Sequence, residues 1–312
     1  MENNNKEIKD LLILGSGPAG LSASIYASRY KIDHLVLGAE IGGYLNEIHK
    51  IENYPGFDSI KGTELAEKMV NHVRSLGVEI IQTEIKAINK EDEFFRITTD
   101  KKNFWARNII YSIGTSAKKL NIPGEKEFLG RGVSYCATCD GPFFRNKTVT
   151  VVGGGNSAIM AVMILAGYAK KVRLFYRGDR SKLSAAPVYV EQAEKMSNVE
   201  IVCCTNLKEI KGENKVSSIV LDRPYQGSAE VLTEGVFIEI GSVPNIALIQ
   251  NLKVALNARG FIQVKADQST NVAGFFAAGD ITTNSNGFRQ IITACAEGAV
   301  AVEGVYRKIK SR

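Results

Sequence analysis

Long hydrophobic runs are missing from this sequence. No uninterrupted apolar stretch approaches the ~18 residues a membrane-spanning helix needs, which argues against a membrane protein. The first ten residues, Met1 to Asp10, are polar and lack the apolar segment of a secretory signal, so a cytoplasmic location is expected. Charge of one sign is not clustered either. The net charge of +6 is spread along the chain, which reads as a solvated surface or as a face for an acidic protein or a phosphorylated ligand. No basic stretch interleaves with aromatics, so no nucleic-acid partner is expected. Histidine is scarce: His34, His49 and His72 are the whole set. The cysteines are few and odd in number (Cys136, Cys139, Cys203, Cys204, Cys295), which without a secretion signal argues against a disulfide-stapled secreted fold. Cys203, Cys204 and Cys295 stand in apolar settings such as Ile201-Val202-Cys203-Cys204 and are expected to be buried as small hydrophobes.

What is present is an ordinary globular composition, 45% apolar and 23% charged, over 312 residues, enough for two domains. Leu11-Leu12-Ile13-Leu14 reads as a buried parallel strand that stops at Gly15. Gly15-Ser16-Gly17-Pro18-Ala19-Gly20 follows, then a helix over Pro18 to Tyr30, then a strand His34-Leu35-Val36-Leu37. Strand, Gly-x-Gly-x-x-Gly, helix and strand make a dinucleotide-binding unit. Its glycines permit a tight turn and close approach to a pyrophosphate, and its helix N-terminus supplies N–H groups and partial positive charge. No acidic residue ends the second strand, where Gly38 and Ala39 precede Glu40, so the ribose carboxylate is unassigned.

The unit recurs. Thr148-Val149-Thr150-Val151-Val152 runs into Gly153-Gly154-Gly155-Asn156-Ser157-Ala158, with a helix expected to Tyr168 and a strand over Lys171 to Tyr176. Helical periodicity covers Gly62 to Leu76, and alternation from Val78 to Ile97 suggests strands. Asn108 to Ile113 reads as a strand before a Gly turn, Gly260 to Val264 as a strand, and Gly274 to Ala278 as a strand ending in Gly279-Asp280. A last helix is expected from about Gln290 to Lys310. The pattern breaks near Lys118–Pro123 and Gly241–Asn245, where linkers are expected. The repeat predicts an α/β fold with two Rossmann-like dinucleotide-binding domains, each a parallel sheet with helices on its faces.

Between the two loops lies Tyr135-Cys136-Ala137-Thr138-Cys139-Asp140. Two residues between thiols let one turn bring them into bonding distance, and such a pair exchanges two electrons as dithiol and disulfide. The competing reading is half of a zinc site, but that needs two more ligands. Cys203-Cys204 has the wrong spacing and the histidines lie far earlier, so no metal is expected. Two dinucleotide loops flanking a Cys-x-x-Cys suggest an enzyme passing electrons through a flavin to a disulfide. Protons must accompany those electrons, and no histidine follows His72. The nearest carrier is Asp140; a carboxylate partly buried beside a flavin would have its pKa raised into a useful range.

With both loops, the Cys pair and Ala278-Gly279-Asp280 in place, the chain resembles the small thioredoxin reductases of bacteria and archaea over nearly its whole length. The resemblance implies a discontinuous FAD domain, residues 1–118 and 246–312, with a pyridine-nucleotide domain, 119–245, inserted and carrying the Cys pair. It implies that Gly15, Ser16, Gly17, Pro18, Ala19, Gly20, Gly42, Gly43, Leu45, Asn53, Gly279, Asp280, Arg289, Gln290 and Ile291 contact FAD. Tyr44 stands where many members have Gln and is read as a buried tyrosine. Cys139 would face the flavin, Cys136 would attack thioredoxin and Asp140 would be the acid. The inserted domain would rotate about its two linkers, and the enzyme would be a homodimer. A thioredoxin near about −270 mV requires a comparably reducing dithiol.

The donor site departs from the family. Gly153, Gly155, Asn156, Ser157 and Ala158 match the loop, and Arg177 and Lys182 favour the 2′-phosphate of NADPH. Yet the family's His-Arg-Arg-x-x-x-Arg reads Tyr176-Arg177-Gly178-Asp179-Arg180-Ser181-Lys182, and Met160 and Ala161 replace two usual glutamates. NADPH is the donor this reading favours. Reduced ferredoxin or a deazaflavin, NADH, a dithiol oxidase using oxygen, and a flavin-binding regulator with an idle dithiol are the other readings.

Overall fold

The structure, a computed structural model, describes residues 7–48 and 51–311, apart from the side chains at 138 and 139 and the exposure of Gly287. His49 lies outside the described residues, as do residues 1–6 of the polar N-terminus. The chain divides into two compact units, residues 1–116 with 243–312, and residues 117–242. The first division falls just before the stretch Lys118–Pro123 and the second within the stretch Gly241–Asn245.

In the first unit, β1 (Ile8–Leu14) leads into α1 (Pro18–Arg29) and β2 (His34–Gly38). Leu11 to Leu14 are buried on both faces, as a central parallel strand requires. After α2 (Gly62–Ser75) come β3 (Ile80–Gln82), β4 (Ile85–Glu91), β5 (Phe94–Thr99) and β6 (Asn103–Tyr111), then β7 (Thr115–Ala117). The sheet order is β3-β2-β1-β6-β5-β4. β1, β2 and β3 are parallel, and β6 joins them in parallel register, Leu14 opposite Tyr111. The first half of β6 is antiparallel to β5.

The second unit begins with β8 (Val133–Ser134) and α3 (Ala137–Asp140), then β9 (Thr148–Val152), α4 (Asn156–Ala166), β10 (Lys171–Phe175), α5 (Pro187–Glu194) and β11 (Val199–Val202). An antiparallel trio, β12 (Leu207–Gly212), β13 (Val216–Tyr225) and β14 (Ser228–Leu232), precedes β15 (Gly235–Ile238) and β16 (Ser242–Pro244). Five strands form a parallel sheet ordered β11-β10-β9-β15-β8. One core, with Val149, Val151, Ile159, Val162 and Leu165, joins this sheet to α4. Another, with Val133, Val152, Ile210, Ile219 and Ile238, joins it to the antiparallel trio. β7 and β16, the two passages between the units, pair with each other.

Back in the first unit, β17 (Phe275–Ala277) pairs with the second half of β6, and α6 (Ile291–Lys310) closes the chain. α6 packs on α1 through Gly298, whose absent Cβ would stand 2.1 Å from the Ala19 carbonyl. Gln290 caps α6 in a reciprocal box with Thr293.

The strand expected over Gly260 to Val264 is not formed. Ile262 makes only single bridges to Leu256 and Thr282, because Asn257 folds the segment before it. Its side chain accepts the Arg259 and Phe261 N–H groups at 2.9 and 3.0 Å. No helix among the described residues is long and apolar enough to cross a membrane.

Candidate active site

The first Gly loop follows directly from β1. Gly15 has φ +115°, and a Cβ there would meet the Ser112 carbonyl at 2.3 Å. Gly20 lies closer still, its missing Cβ 1.8 Å from the Gly15 carbonyl. The loop therefore turns against the end of β6 in a way no larger residue permits. α1 opens at Gly17 with no side-chain cap, leaving its first-turn N–H groups without a side-chain acceptor. That is the environment an anionic pyrophosphate fits.

Several distant segments converge on this helix end. Gly42 donates its N–H to the Ser16 carbonyl at 2.9 Å. A Cβ on Gly43 would stand 3.0 Å from the Gly17 Cα. Ser16 Oγ donates to the Glu40 carbonyl at 2.9 Å, and Glu40 Oε1 accepts from Asn46 Nδ2 at 3.1 Å. Leu45 is buried and Ile291 half-buried in one apolar cluster behind the loop. Asn53 Nδ2 donates to Gln290 Oε1 at 2.9 Å. Pro18 accepts a contact from Cys295 Sγ at 3.7 Å. Gly279 lies against Ala19, 3.0 Å from its Cβ to the position of a glycine Cβ.

Asp280 follows Gly279 at the end of β17. Burial is the main cause that raises its carboxyl to about 6; Arg289 opposes that rise and Glu297 adds to it. Arg289 Nε donates to the Asp280 carbonyl at 2.9 Å, and its guanidinium lies 3.9 Å from the centre of the Phe261 ring. Tyr44, expected to be buried, is 62% exposed, because the 3-10 turn Gly43–Glu47 turns it outward.

In the second unit, Cys136 is disulfide-bonded and half-buried, while Cys203, Cys204 and Cys295 are free. The Cys139 side chain lies outside the described residues. Cys136 precedes α3, and its carbonyl accepts the Asp140 N–H at 3.1 Å. Ser134 Oγ accepts the Cys136 N–H at 3.0 Å. Asp140 is half-buried.

The second Gly loop repeats the design of the first. A Cβ on Gly153 would meet the Glu239 carbonyl at 2.1 Å, and Ala158 is buried beneath the loop. α4 starts at Gly155 without a side-chain cap. Ser157 is exposed, and Asn156 Oδ1 accepts the Ala186 N–H at 2.7 Å. The Tyr176 ring packs on Gly154 and Gly178, whose Cβ atoms would stand 2.3 and 2.8 Å from it, and its hydroxyl donates to the Lys182 carbonyl at 2.8 Å. Arg177 and Lys182 are exposed, whereas Arg180 is paired with Glu194.

Two expectations for the cysteines need correction. Cys204 is exposed and Cys203 only half-buried, because Cys204 takes a left-handed φ of +56° just beyond β11 and turns out of the strand. Cys295 is buried as expected, and burial pushes its thiol up to about 11.

A family model described as pyridine nucleotide-disulphide oxidoreductase matches residues 9–298. The thioredoxin reductase of Bacillus subtilis is 39% identical over 98% of this chain and 96% of its own length. The chain belongs to the low-molecular-weight thioredoxin reductase family. Among solved structures, the Lactococcus lactis thioredoxin reductase in its FR conformation matches with a TM-score of 0.92 and 36% identity, over 97% of this chain and 100% of that one. The T. acidophilum thioredoxin reductase matches with a TM-score of 0.90 and 34% identity, over 98% and 100%. The fold is α/β, with two Rossmann-like units, the second inserted into the first.

Two carboxylates escaped the sequence reading. Glu297, on α6, is 6% exposed and accepts the Gly279 N–H, the Thr282 hydroxyl and the Ser285 hydroxyl at 2.9, 2.7 and 2.7 Å. A carboxylate among the small apolar residues Ala294, Cys295, Gly298 and Ala301 was the signal. Glu125 in the second unit is likewise buried and hydrogen-bonded.

Proposed function

We propose that the protein is a thioredoxin-disulfide reductase, passing electrons from NADPH through FAD and the Cys136–Cys139 dithiol to thioredoxin. The single observation that carries this reading is the disulfide-bonded Cys136, in the same unit as a second, uncapped Gly-loop helix. Near-full-length likeness to thioredoxin reductases supports it.

In this reading the first unit is the FAD domain and the inserted one the pyridine-nucleotide domain. Bound FAD supplies the two-electron carrier between nicotinamide and disulfide. Gly15, Gly17 and Gly20 with the α1 N-terminus hold its pyrophosphate, with Ser16, Pro18 and Ala19 shaping the turn. Gly42, Gly43, Leu45, Asn53, Gly279, Asp280, Arg289, Gln290 and Ile291 line the remainder. Gly153, Gly155, Asn156, Ser157 and Ala158 take the NADPH pyrophosphate, and Arg177 and Lys182 its 2′-phosphate. Cys136 thiolate attacks the thioredoxin disulfide, and Cys139 thiolate then displaces reduced thioredoxin and closes the enzyme disulfide. Asp140 carries the proton. The inserted domain rotates about the two linkers, Lys118–Pro123 and Gly241–Asn245, on a μs–ms scale. The enzyme works as a homodimer in the cytoplasm, a reducing compartment that suits its free thiols.

The test is an anaerobic titration of the oxidised flavoprotein, followed by flavin absorbance. Micromolar NADPH should bleach it stoichiometrically, and thioredoxin should restore the colour. Bleaching only by a reduced low-potential donor would overturn the NADPH assignment, and peroxide formation from a dithiol would point to an oxidase.

A further inference from the structure

Glu125 is 4% exposed, and its carboxylate accepts three hydrogen bonds from two separate stretches of the second unit. Oε1 receives the Leu120 N–H at 2.8 Å and the Tyr135 hydroxyl at 2.7 Å, and Oε2 receives the Asn121 N–H at 2.5 Å. Leu120 and Asn121 belong to the stretch by which the chain enters this unit. Tyr135 immediately precedes Cys136. The carboxylate itself has little freedom. Gly124 beside it has φ +84° and is pressed on β12, where a Cβ would meet the Ile210 carbonyl at 2.0 Å. Ile210 in turn donates its N–H to the Pro123 carbonyl at 3.0 Å. The turn that carries Glu125 is therefore pinned on β12 by both main-chain groups of Ile210.

On the far side of the link, the Tyr135 ring packs half-buried against the core cluster that holds Phe128 and Val133. Burial, and then Glu125, push its phenol well above its ordinary range, so it stays a donor at every working pH. Next to it the Cys136 backbone is held twice by Ser134, whose hydroxyl accepts the Cys136 N–H and donates to the Cys136 carbonyl at 3.2 Å.

We propose that Glu125 is a positioning residue for the redox cysteine: through the Tyr135 hydroxyl it fixes the backbone that carries Cys136 in its disulfide state and ties it to the entry segment of the unit. A carboxylate that merely capped the turn at Leu120 and Asn121 would need no contact with Tyr135. On this proposal the hydrogen bond to Tyr135, present in the disulfide form, is weaker in the dithiol form, so its loss should weaken the disulfide form relative to the dithiol. This inference rests on the reading of Cys136 as redox-active.

The experiment equilibrates the FAD-loaded enzyme with defined ratios of reduced and oxidised dithiothreitol, then reads by mass spectrometry the fraction of Cys136 protected from alkylation. Tyr135→Phe should shift the equilibrium toward the dithiol by roughly ten- to 150-fold, the scale of one hydrogen bond to a charged acceptor, and Glu125→Gln, which keeps a neutral acceptor, by less. The double variant should shift it no further than the larger single change, since both act through one contact. A Tyr135→Phe equilibrium within about twofold of wild type would overturn the inference, even if Glu125→Gln lowered thermal stability. Should Glu125→Gln fail to fold, Tyr135→Phe alone decides. Neither donor nor thioredoxin enters this readout. A wild-type enzyme that equilibrates with dithiothreitol yet leaves thioredoxin oxidised would sink the proposed function and not this result.

Discussion

The Glu297 carboxylate accepts the Gly279 N–H at 2.9 Å, so the last helix holds the turn at which β17 delivers Asp280. The same oxygen accepts the Thr282 hydroxyl, and its neighbour the Ser285 hydroxyl. Hydrogen bonds to a charged acceptor contribute about 1.5–3 kcal/mol each. Glu297→Ala should therefore weaken FAD binding by roughly ten- to 150-fold, with Glu297→Gln between it and wild type. Quenching of FAD fluorescence by the flavin-free protein measures this directly, and unchanged affinity in Glu297→Ala would remove the role.

Asp280 gives the flavin-free protein a pH signature. Its folded pKa, about 6, is above the ordinary 3.8 because burial disfavours the charged form. The sign follows: the neutral carboxyl favours the folded state, so this contribution is complete below the ordinary value and is lost as pH rises through about 6. The loss is at most about 3 kcal/mol, from about two pK units. Asp280→Asn should abolish that part of the slope, so the difference in melting temperature between wild type and variant should grow across this window in favour of the variant. Parallel melting curves would contradict the burial described for Asp280.

The turn after β10 presents Arg177 and Lys182 to solvent while Arg180 is engaged by Glu194. Replacing Arg177 by Ala should raise the NADPH KM roughly ten- to 150-fold, the cost of one charged hydrogen bond, with kcat little changed. Steady-state kinetics with NADPH and NADH checks it. An equal loss with both nucleotides would place Arg177 away from the 2′-phosphate.

For Asp140, the substitution to Asn keeps size and removes the carboxyl that could give up a proton. Flavin content should be unaffected, while stopped-flow formation of the dithiol should slow by about 10²–10⁴-fold, the range of general acid catalysis. Wild-type turnover in that variant would assign the proton to another group.

Much of this arrangement was legible in the chain because it depends on local chemistry. Gly15, Gly20 and Gly153 stand where a Cβ cannot, and such positions declare themselves in sequence. Elements held by a full ladder, such as Thr148–Val152, were placed to the residue. What failed depended on tertiary company. Ile262 reads like a strand residue but finds only single bridges, since Asn257 claims the backbone before it. Cys204 follows an apolar run yet faces outward through one left-handed residue. Glu125 looks like an ordinary surface acid until the partners that desolvate it are brought from elsewhere in the chain, whereas Glu297 is marked only by its small apolar neighbours.

Gly298 sets α6 against α1, and β17 completes β6, yet both elements are encoded after the whole second unit. On the ribosome the first unit must wait with its sheet lacking one strand, β17, and without α6 while its guest is made, on the order of ten seconds at about 5–20 residues per second. The guest can finish folding first. In the proposed reading the flavin site around Gly15 and Gly279 is complete only when the last helix arrives, so flavin capture is a late event of biosynthesis. A nascent chain stalled before Ile291 would carry a folded disulfide unit and no yellow colour.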